Sequence, residues 1–157
     1  MKVKIKKLNA KAVLPKKVHS TDAGFDLVAT SRTFDENGNI VYGTGIAMEI
    51  PEGYVGLVFP RSSICKQDIL LSNAVGVIDS HYRGEIMAKF KPTSTIASEG
   101  KLLLQFKARR INEGLCYKVG DRIAQLIIMP IPEIEFEEAE ELSETDRGTG
   151  GYGSTGK

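Results

Sequence analysis

The chain of 157 residues has no tryptophan, only two cysteines and only two histidines. Cys65 and Cys116 lie far apart and form no C-x-x-C pair, so a disulfide framework is not expected and a reduced, cytoplasmic setting is indicated. So few sulfur and imidazole ligands also argue against a structural zinc site. No apolar run approaches the ~20 residues of a membrane span, and the basic start MKVKIKKL alternates like a first strand rather than a signal peptide.

Charge is unevenly distributed along the chain. Residues 133–146 hold eight of the twenty acidic residues and no base, so residues 1–132 carry 19 bases against 12 acids, a net charge of +7. This charge suits a small polyanionic ligand, although a solvated lysine-rich surface explains it equally well. Because no arginine-rich stripe with interleaved aromatics is present, neither nucleic-acid binding nor a membrane partner is expected.

Patterns typical of helices are scarce, whereas short β-like runs recur with turn signals between them. The runs are VKIKKL, FDLVA, TGIAMEI, YVGLVF, AVGVI, EIMAKFK, KLLLQFKAR and RIAQLIIMPI. Asn37-Gly38 and the segment PEGY at 51–54 supply turns. The sequence therefore predicts an all-β sandwich or barrel over residues 1–132, followed by an acidic arm and a glycine-rich segment at 133–157.

The segment PRSSI places Arg61, Ser62 and Ser63 between a β run and a possible short helix. Hydroxyls, backbone N–H groups at a helix start and a guanidinium together favour an anion site. A serine-capped helix beside a surface arginine is the alternative.

The segment GVIDSHYRGEI looks like a β-hairpin, with Asp79 and Tyr82 near its mouth. Asp79 follows Val77 and Ile78, so we expect water to be partly excluded around it, and a carboxylate there could serve as a general base. A turn-capping aspartate is the alternative.

The segments AGFDLVA and GDRIAQL place Asp26 and Gln125 within apolar runs. Such residues could orient metal-bound water, because magnesium at phosphates keeps several waters and few protein ligands. The last segment, RGTGGYGSTGK, has five glycines beside Arg147 and Tyr152. Its composition fits a frayed end, but glycine also lets backbone N–H groups converge on an anion, which arginine binds well.

Five segments in this order resemble the motifs of the trimeric dUTP pyrophosphatases, or dUTPases: AGFDLVA, PRSSI, GVIDSHYRGEI, GDRIAQLII and RGTGGYGSTG. The resemblance spans Ala23 to Gly156, and five ordered motifs are far more specific than any one of them. It implies a distorted jelly-roll-type β-barrel, assembled as a homotrimer with a flexible glycine-rich C-terminal arm. It also implies hydrolysis of dUTP to dUMP and pyrophosphate with Mg²⁺, in active sites shared between subunits.

The resemblance also implies roles for individual residues. Asp79 would activate the water that attacks the α-phosphorus, Tyr82 would pack on the deoxyribose, and Asn73 would read uracil. Asp26 and Gln125 would meet Mg²⁺ through water, with Gln125 also contacting substrate. The other substrate contacts would come from the second and fifth motifs: Arg61, Ser62, Ser63, Arg147, Tyr152, Gly153, Ser154 and Thr155. Of these, Tyr152 would stack on uracil when the fifth motif closes over the nucleotide.

The chain departs from the family pattern at three places. Ser63 stands where a glycine is usual, and His81 occupies a position that is commonly aspartate and receives no role here. Residues 92–117 are longer than the family leads us to expect, which predicts an extra surface hairpin that could alter trimer contacts or bind a regulatory protein.

Two rival functions follow from the same residues. A dCTP deaminase resembles this family in fold and also uses an R-S-S string, but its chemistry looks to need a glutamate where this chain has Lys89. A non-catalytic interaction protein could use the 92–117 insertion for docking. Joint retention of Asp79, Arg61, Gln125 and Arg147 argues against the latter as a sole role.

Overall fold

The computed structural model describes residues 1–93 and 113–151, and these contain β-strands and short 3₁₀ helices but no α-helix. The strands are β1 (Lys4–Lys7), β2 (Phe25–Val28), β3 (Ser31–Phe34), β4 (Ile40–Gly43), β5 (Ile46–Glu49), β6 (Tyr54–Pro60), β7 (Ile69–Leu71), β8 (Gly76–Ile78), β9 (Met87–Pro92) and β10 (Arg122–Pro130). The 3₁₀ helices are Ser62–Lys66 and Glu113–Leu115. The all-β prediction is confirmed.

The strands form two four-stranded sheets and one ribbon, all antiparallel. The first sheet has the order β2-β10-β6-β8, the second the order β3-β4-β9-β7, and β1 pairs with β5. These sheets stay separate within the described residues, so no closed barrel is formed there. The first sheet brings the AGFDLVA, PRSSI and GDRIAQLII segments side by side, because β10 lies between β2 and β6.

The core lies between the two larger sheets. Strand β9 shows why, since its side chains alternate strictly between exposed and buried, with Ala88 and Phe90 inside. An alternating strand buries one face and leaves the other to solvent. Tyr42, Phe90 and Tyr117 meet edge to face at the centre, with ring centroids 5.7 to 6.4 Å apart. Such aromatic contacts add to the hydrophobic stabilisation of the core.

Seven of the predicted β runs contain strands, and the eighth, KLLLQFKAR, lies outside the described residues. The Asn37-Gly38 turn is confirmed: Gly38 has a φ of 75° and β3 pairs with β4 around it. The turn at 51–54 is also present, with Gly53 at a φ of 77°. In the described part of the chain, no helix is long and apolar enough to cross a membrane.

The predicted hairpin through Asp79 is wrong. Strand β8 pairs with β6 in the first sheet, whereas β9 pairs with β4 and β7 in the second. The segment 79–86 therefore crosses from one sheet to the other. Its apolar flanks suggested a local pairing, but each flank pairs with strands elsewhere in the sequence, β8 with β6 and β9 with β4 and β7.

Candidate active site

A cavity of about 310 Å³ opens where β6 ends, beside β10 and β2. Gln125 on β10 lies directly opposite Asp26 on β2 and Phe59 on β6, so the register of the first sheet determines which side chains meet here. The loop before β2 forms the other wall. The lining residues are Val18, Asp22, Ala23, Gly24, Asp26, Arg61, Ser62 and Gln125.

The carboxylate of Asp26 is bound by two arginines. Its Oδ1 accepts a hydrogen bond from Arg61 Nε at 2.7 Å, and its Oδ2 accepts one from Arg122 Nη1 at 3.0 Å. The Asp26 side chain is only 16% exposed, so these charge-assisted bonds are partly shielded from water. With Asp22 on the cavity wall as well, two arginines and two aspartates balance in charge, so the cavity offers paired guanidinium donors rather than an excess of positive charge. Sequence analysis did not assign Arg122 to this site, and only the strand register reveals it.

Gln125 points its amide oxygen toward the cavity. Its Nε2 donates to the carbonyl of Pro60 at 3.0 Å, which fixes the amide plane. A Cβ added to Gly24 would lie 2.5 Å from Gln125 Oε1, so this oxygen occupies the space that a side chain at position 24 would fill. The cavity therefore has a neutral acceptor held beside its arginines.

The two serines of PRSSI have different surroundings. Ser62 is exposed and lines the cavity. Ser63 points elsewhere, since its Oγ lies 3.0 Å from the hydroxyl of Tyr117. The cavity thus receives Arg61 and Ser62 from this segment, while the Ser63 hydroxyl is engaged by another part of the protein.

Asp79 and Tyr82 lie in a turn that follows β8. The N–H of Tyr82 donates to the carbonyl of Asp79 at 3.1 Å, and the Tyr82 hydroxyl donates to the carbonyl of Glu85 at 3.1 Å. Asp79 is exposed, contrary to the expected partial exclusion of water. Of the two apolar residues that suggested shielding, Val77 is 61% exposed, while Ile78 is half-buried and packs against the core.

The cavity and the Asp79 turn lie at opposite ends of β6. Ile78 pairs with Gly56, so continuing the register puts Asp79 level with Val55, six positions before Arg61. At ~3.3 Å per residue these positions are about 20 Å apart along the strand. Asn73, Asp79 and Tyr82 are likewise not among the residues that line the cavity. One chain does not bring the two groups together.

The end of the chain continues away from the sheets after β10. In the described part of the arm, residues 133–151, the hydrogen bonds are local: Arg147 Nε donates to the carbonyl of Gly150 at 3.0 Å, and Gly148 N donates to the carbonyl of Thr145 at 3.0 Å. Ile134 is 63% exposed and Phe136 is 93% exposed. The predicted contacts of Tyr152, Gly153, Ser154 and Thr155 lie outside the described residues.

Comparison with known proteins gives a consistent result. A profile of the dUTPase family matches residues 10–96 and 108–156. The chain belongs to the dUTPase family. It is 41% identical over 157 residues to the deoxyuridine 5'-triphosphate nucleotidohydrolase of Corynebacterium glutamicum, covering 99% of this chain and 95% of that protein. The activity of the family is hydrolysis of dUTP to dUMP.

Solved dUTPases share the fold. A variant of the Staphylococcus bacteriophage 80alpha dUTPase with dUpNHpp superposes with a TM-score of 0.81 at 30% identity, covering 99% of both chains. A variant dUTPase from phage phi11 of S. aureus, described with a structural Mg(II) ion, gives a TM-score of 0.70 at 29% identity, covering 90% of this chain and 98% of that one. The all-β, jelly-roll-type fold expected from the motifs is confirmed.

dUTPases generally depend on magnesium, so the residues of the cavity can be compared with the ligands that Mg²⁺ requires. Among the described residues, no three His, Cys, Asp or Glu side chains cluster in a way that could hold a metal directly. Asp26 and Gln125 nevertheless offer oxygens beside the arginines, and a carboxylate has lone pairs to spare after accepting two bonds. These residues fit an ion that keeps its waters and is held mainly by substrate phosphates.

Proposed function

We propose that this chain hydrolyses dUTP to dUMP and pyrophosphate by attack of water on the α-phosphorus, with Asp79 as general base, in sites shared between the chains of a homotrimer. One observation carries the proposal. The family's motif residues fall into a phosphate-binding group around the cavity and a base-bearing group after β8, about 20 Å apart along β6. A working site needs both groups, so they must come from different chains.

The cavity is the proposed phosphate site. Arg61 Nε donates to Asp26 and its Nη1 donates to the carbonyl of Arg122 at 3.4 Å, which leaves Nη2 and the second N–H of Nη1 to bind phosphate oxygens. Ser62 adds a hydroxyl, and Arg122 adds a second positive charge close by. Asp26 thus orients Arg61, and together with Asp22 on the cavity wall it balances the charge of the two arginines. The oriented guanidinium groups can donate charge-assisted hydrogen bonds to a polyanion, and such donors stabilise the charge that develops as pyrophosphate leaves.

Asp79 is the proposed base. Its carboxylate lies on a short turn, exposed in the single chain, where a neighbouring chain can bring a nucleotide against it. A carboxylate oxygen would accept a proton from water as the water oxygen bonds to the α-phosphorus and the bond to the pyrophosphate oxygen breaks. General-base assistance of this kind contributes ~10²–10⁴-fold, so positioning and charge stabilisation must supply the rest.

Strand β8 and its flanks are the proposed nucleoside site. β8 pairs only with β6 and lies at the edge of its sheet, so its outer backbone groups have no strand partner in the described residues. Such an edge offers N–H and C=O groups that match the polar edge of uracil, with Asn73 beside them. Tyr82 would crowd the 2′ position of the sugar, and the close backbone would exclude the 5-methyl group of thymine.

Magnesium and the arm complete the proposal. When bound, Mg²⁺ neutralises charge on the phosphates, and Asp26 and Gln125 would hold its waters. The arm at 133–157 would act as a unit distinct from the 1–132 body and close over the nucleotide. Arg147 would then meet the terminal phosphates together with Gly153, Ser154 and Thr155, while Tyr152 stacks on uracil.

The deaminase alternative is weakened by Lys89. At the position where that chemistry would need a glutamate, Lys89 Nζ instead pairs with Asp35 Oδ2 at 2.9 Å, on the outer face of β9. This lysine is therefore part of a surface ion pair in the second sheet.

Pyrophosphate release from dUTP, dTTP, dCTP and UTP tests the function directly. We expect rapid release from dUTP and little from the other three. Ammonia release from dCTP would support the deaminase, and absence of turnover on all four nucleotides would support a non-catalytic interaction protein.

A further inference from the structure

The 3₁₀ helix Ser62–Lys66, next to the phosphate site, is attached to the core by one side chain, the half-buried Ile64. It buries none of its residues, and no side chain caps its start at Arg61. Its own backbone bonds run from Ile64 N to the carbonyl of Arg61 and from Gln67 N to the carbonyl of Ile64. A 3₁₀ helix of this length has poor hydrogen-bond geometry and is not stable alone. Its position must therefore be determined by contacts from outside.

Tyr117 makes such a contact from the core. Its hydroxyl lies 3.0 Å from Ser63 Oγ, while the residue as a whole is only 4% exposed. Its ring packs edge-on against Tyr42 and Phe90, at centroid distances of 6.4 and 5.8 Å. Its carbonyl accepts a hydrogen bond from the Tyr42 hydroxyl at 2.7 Å. The ring contacts and the hydrogen bond to its carbonyl therefore hold Tyr117 in place, and this determines the position of its hydroxyl.

We propose that Tyr117 is a positioning residue of the phosphate site: its hydroxyl holds Ser63 and so determines how Arg61 and Ser62 face the cavity. A second bond from the same segment, Asp68 N to the carbonyl of Leu115 at 2.9 Å, holds the chain just beyond the helix. The inference rests on the proposed function. It also gives Ser63 a different role, because its hydroxyl bonds to the hydroxyl of Tyr117 rather than to the phosphate.

The test compares Tyr117→Phe, Ser63→Ala and the double variant. Each single change removes one partner of the bond, and Tyr117→Phe keeps the ring that packs in the core. Both should raise the KM for dUTP and the inhibition constant of inorganic pyrophosphate by about 3- to 10-fold, the factor that corresponds to one hydrogen bond. We expect kcat to change little, because the phosphate contact exists in the ground state and in the transition state. The double variant should be no worse than either single variant.

Thr44→Val is the matched control. It also deletes a buried hydroxyl, which donates to the carbonyl of Ile86 at 2.6 Å, far from the helix Ser62–Lys66 along the chain. It should lower the Tm without raising either constant, which separates positioning from general stability.

The outcomes distinguish the inference from the function on which it rests. If the wild type does not hydrolyse dUTP, the proposed function fails before any variant is compared. If the wild type is active and Ser63→Ala alone raises KM, Ser63 binds phosphate directly and the role of Tyr117 is refuted. Additive effects in the double variant also refute it. If Tyr117→Phe does not fold, an unchanged KM in Ser63→Ala still overturns the inference.

Discussion

The cavity and the Asp79 turn are two parts of one proposed active site, and a single chain holds them very differently. At the cavity, Asp26 is bonded to two arginines and Gln125 to a carbonyl, so the geometry is formed before any ligand arrives. In the turn, Asp79 is exposed and Tyr82 is 41% exposed. The first part is built by one chain, whereas the second is uncovered among the residues that the structure describes. The difference is what the proposed sharing of the site between subunits would produce.

The largest expected effect comes from Asp79→Asn. The amide cannot accept the proton, so kcat should fall by at least ~10²-fold, while affinity for a non-hydrolysable dUTP analogue is retained. Asp35→Asn is the matched control, because it makes the same change in a turn of the other sheet and should leave kcat unchanged. A kcat for Asp79→Asn within tenfold of the wild type would remove Asp79 from the base role.

Mixing inactive chains tests the two-part site itself. Asp79→Asn keeps the cavity intact and Arg61→Ala keeps the turn intact, so mixed trimers contain some complete sites. Random mixing of equal amounts should restore about a quarter of wild-type activity, measured as pyrophosphate release after subunit exchange.

The control for this mixture uses two defects in the same part, Arg61→Ala with Gln125→Ala. No mixed trimer of these chains has an intact cavity, so activity should stay low. If neither mixture recovers while exchange is confirmed by native mass spectrometry, each chain completes its own site and the shared-site model is wrong.

Tyr82→Ala should have a smaller effect that concerns the choice of sugar. Removing the ring that crowds the 2′ position should shift the ratio of kcat/KM for dUTP to that for UTP toward UTP by ~10-fold. Tyr82→Phe keeps the ring and loses only the bond to the Glu85 carbonyl, so it should leave the ratio near that of the wild type. Equal ratios for alanine and wild type would place the discrimination elsewhere.

The smallest expected effect is on stability. It concerns Asp35, in the turn between β3 and β4, which belongs to neither the cavity nor the Asp79 turn. Hydrogen bonds from the Asn39 side chain and then from Lys89 hold the pKa of the Asp35 carboxyl well below its usual value. A lowered folded-state pKa stabilises the protein above the unfolded-state pKa of about 4, and this stabilisation is lost as pH falls through the folded-state pKa. Asp35→Asn should therefore lower the Tm modestly at pH 7, with a difference that shrinks below pH ~4. A constant difference across this range would contradict the assignment.

Local sequence patterns predicted most of the strands, and most clearly the long apolar ones. Apolar β6 and β10 and the Asn37-Gly38 turn were recognised, whereas β3, β4 and β7 were not among the predicted runs. Strand β3 is polar and mostly exposed, and β4 and β7 are mostly buried strands of only four and three residues. The pairing of β8 was predicted wrongly because its partner β6 precedes it by some twenty residues, and neighbouring apolar runs look like a hairpin. Local sequence cannot choose between near and distant partners when both bury the same face.

The site shows the same limit. The motifs singled out Asp26, Arg61 and Gln125, which the structure places around one cavity, but their mutual contacts depend on strand register. Arg122 reaches Asp26 across 96 positions of sequence, and Tyr117 reaches Ser63 across 54. Neither contact has a local signature. The residues that hold the functional groups in place were therefore harder to predict than the functional groups themselves.

The lack of space beside Gly24 limits which residues this position can accept. Any side chain begins with the same Cβ, and at this position that carbon would lie 2.5 Å from Gln125 Oε1 and 3.1 Å from Gln125 Cβ. The amide would have to swing out of the cavity, whatever the size or polarity of the new residue. Replacement here need not harm folding, because the displaced group is a side chain. We therefore expect Gly24→Ala to yield a well-folded protein with little catalytic activity. Measurements of expression level or solubility would not detect this loss.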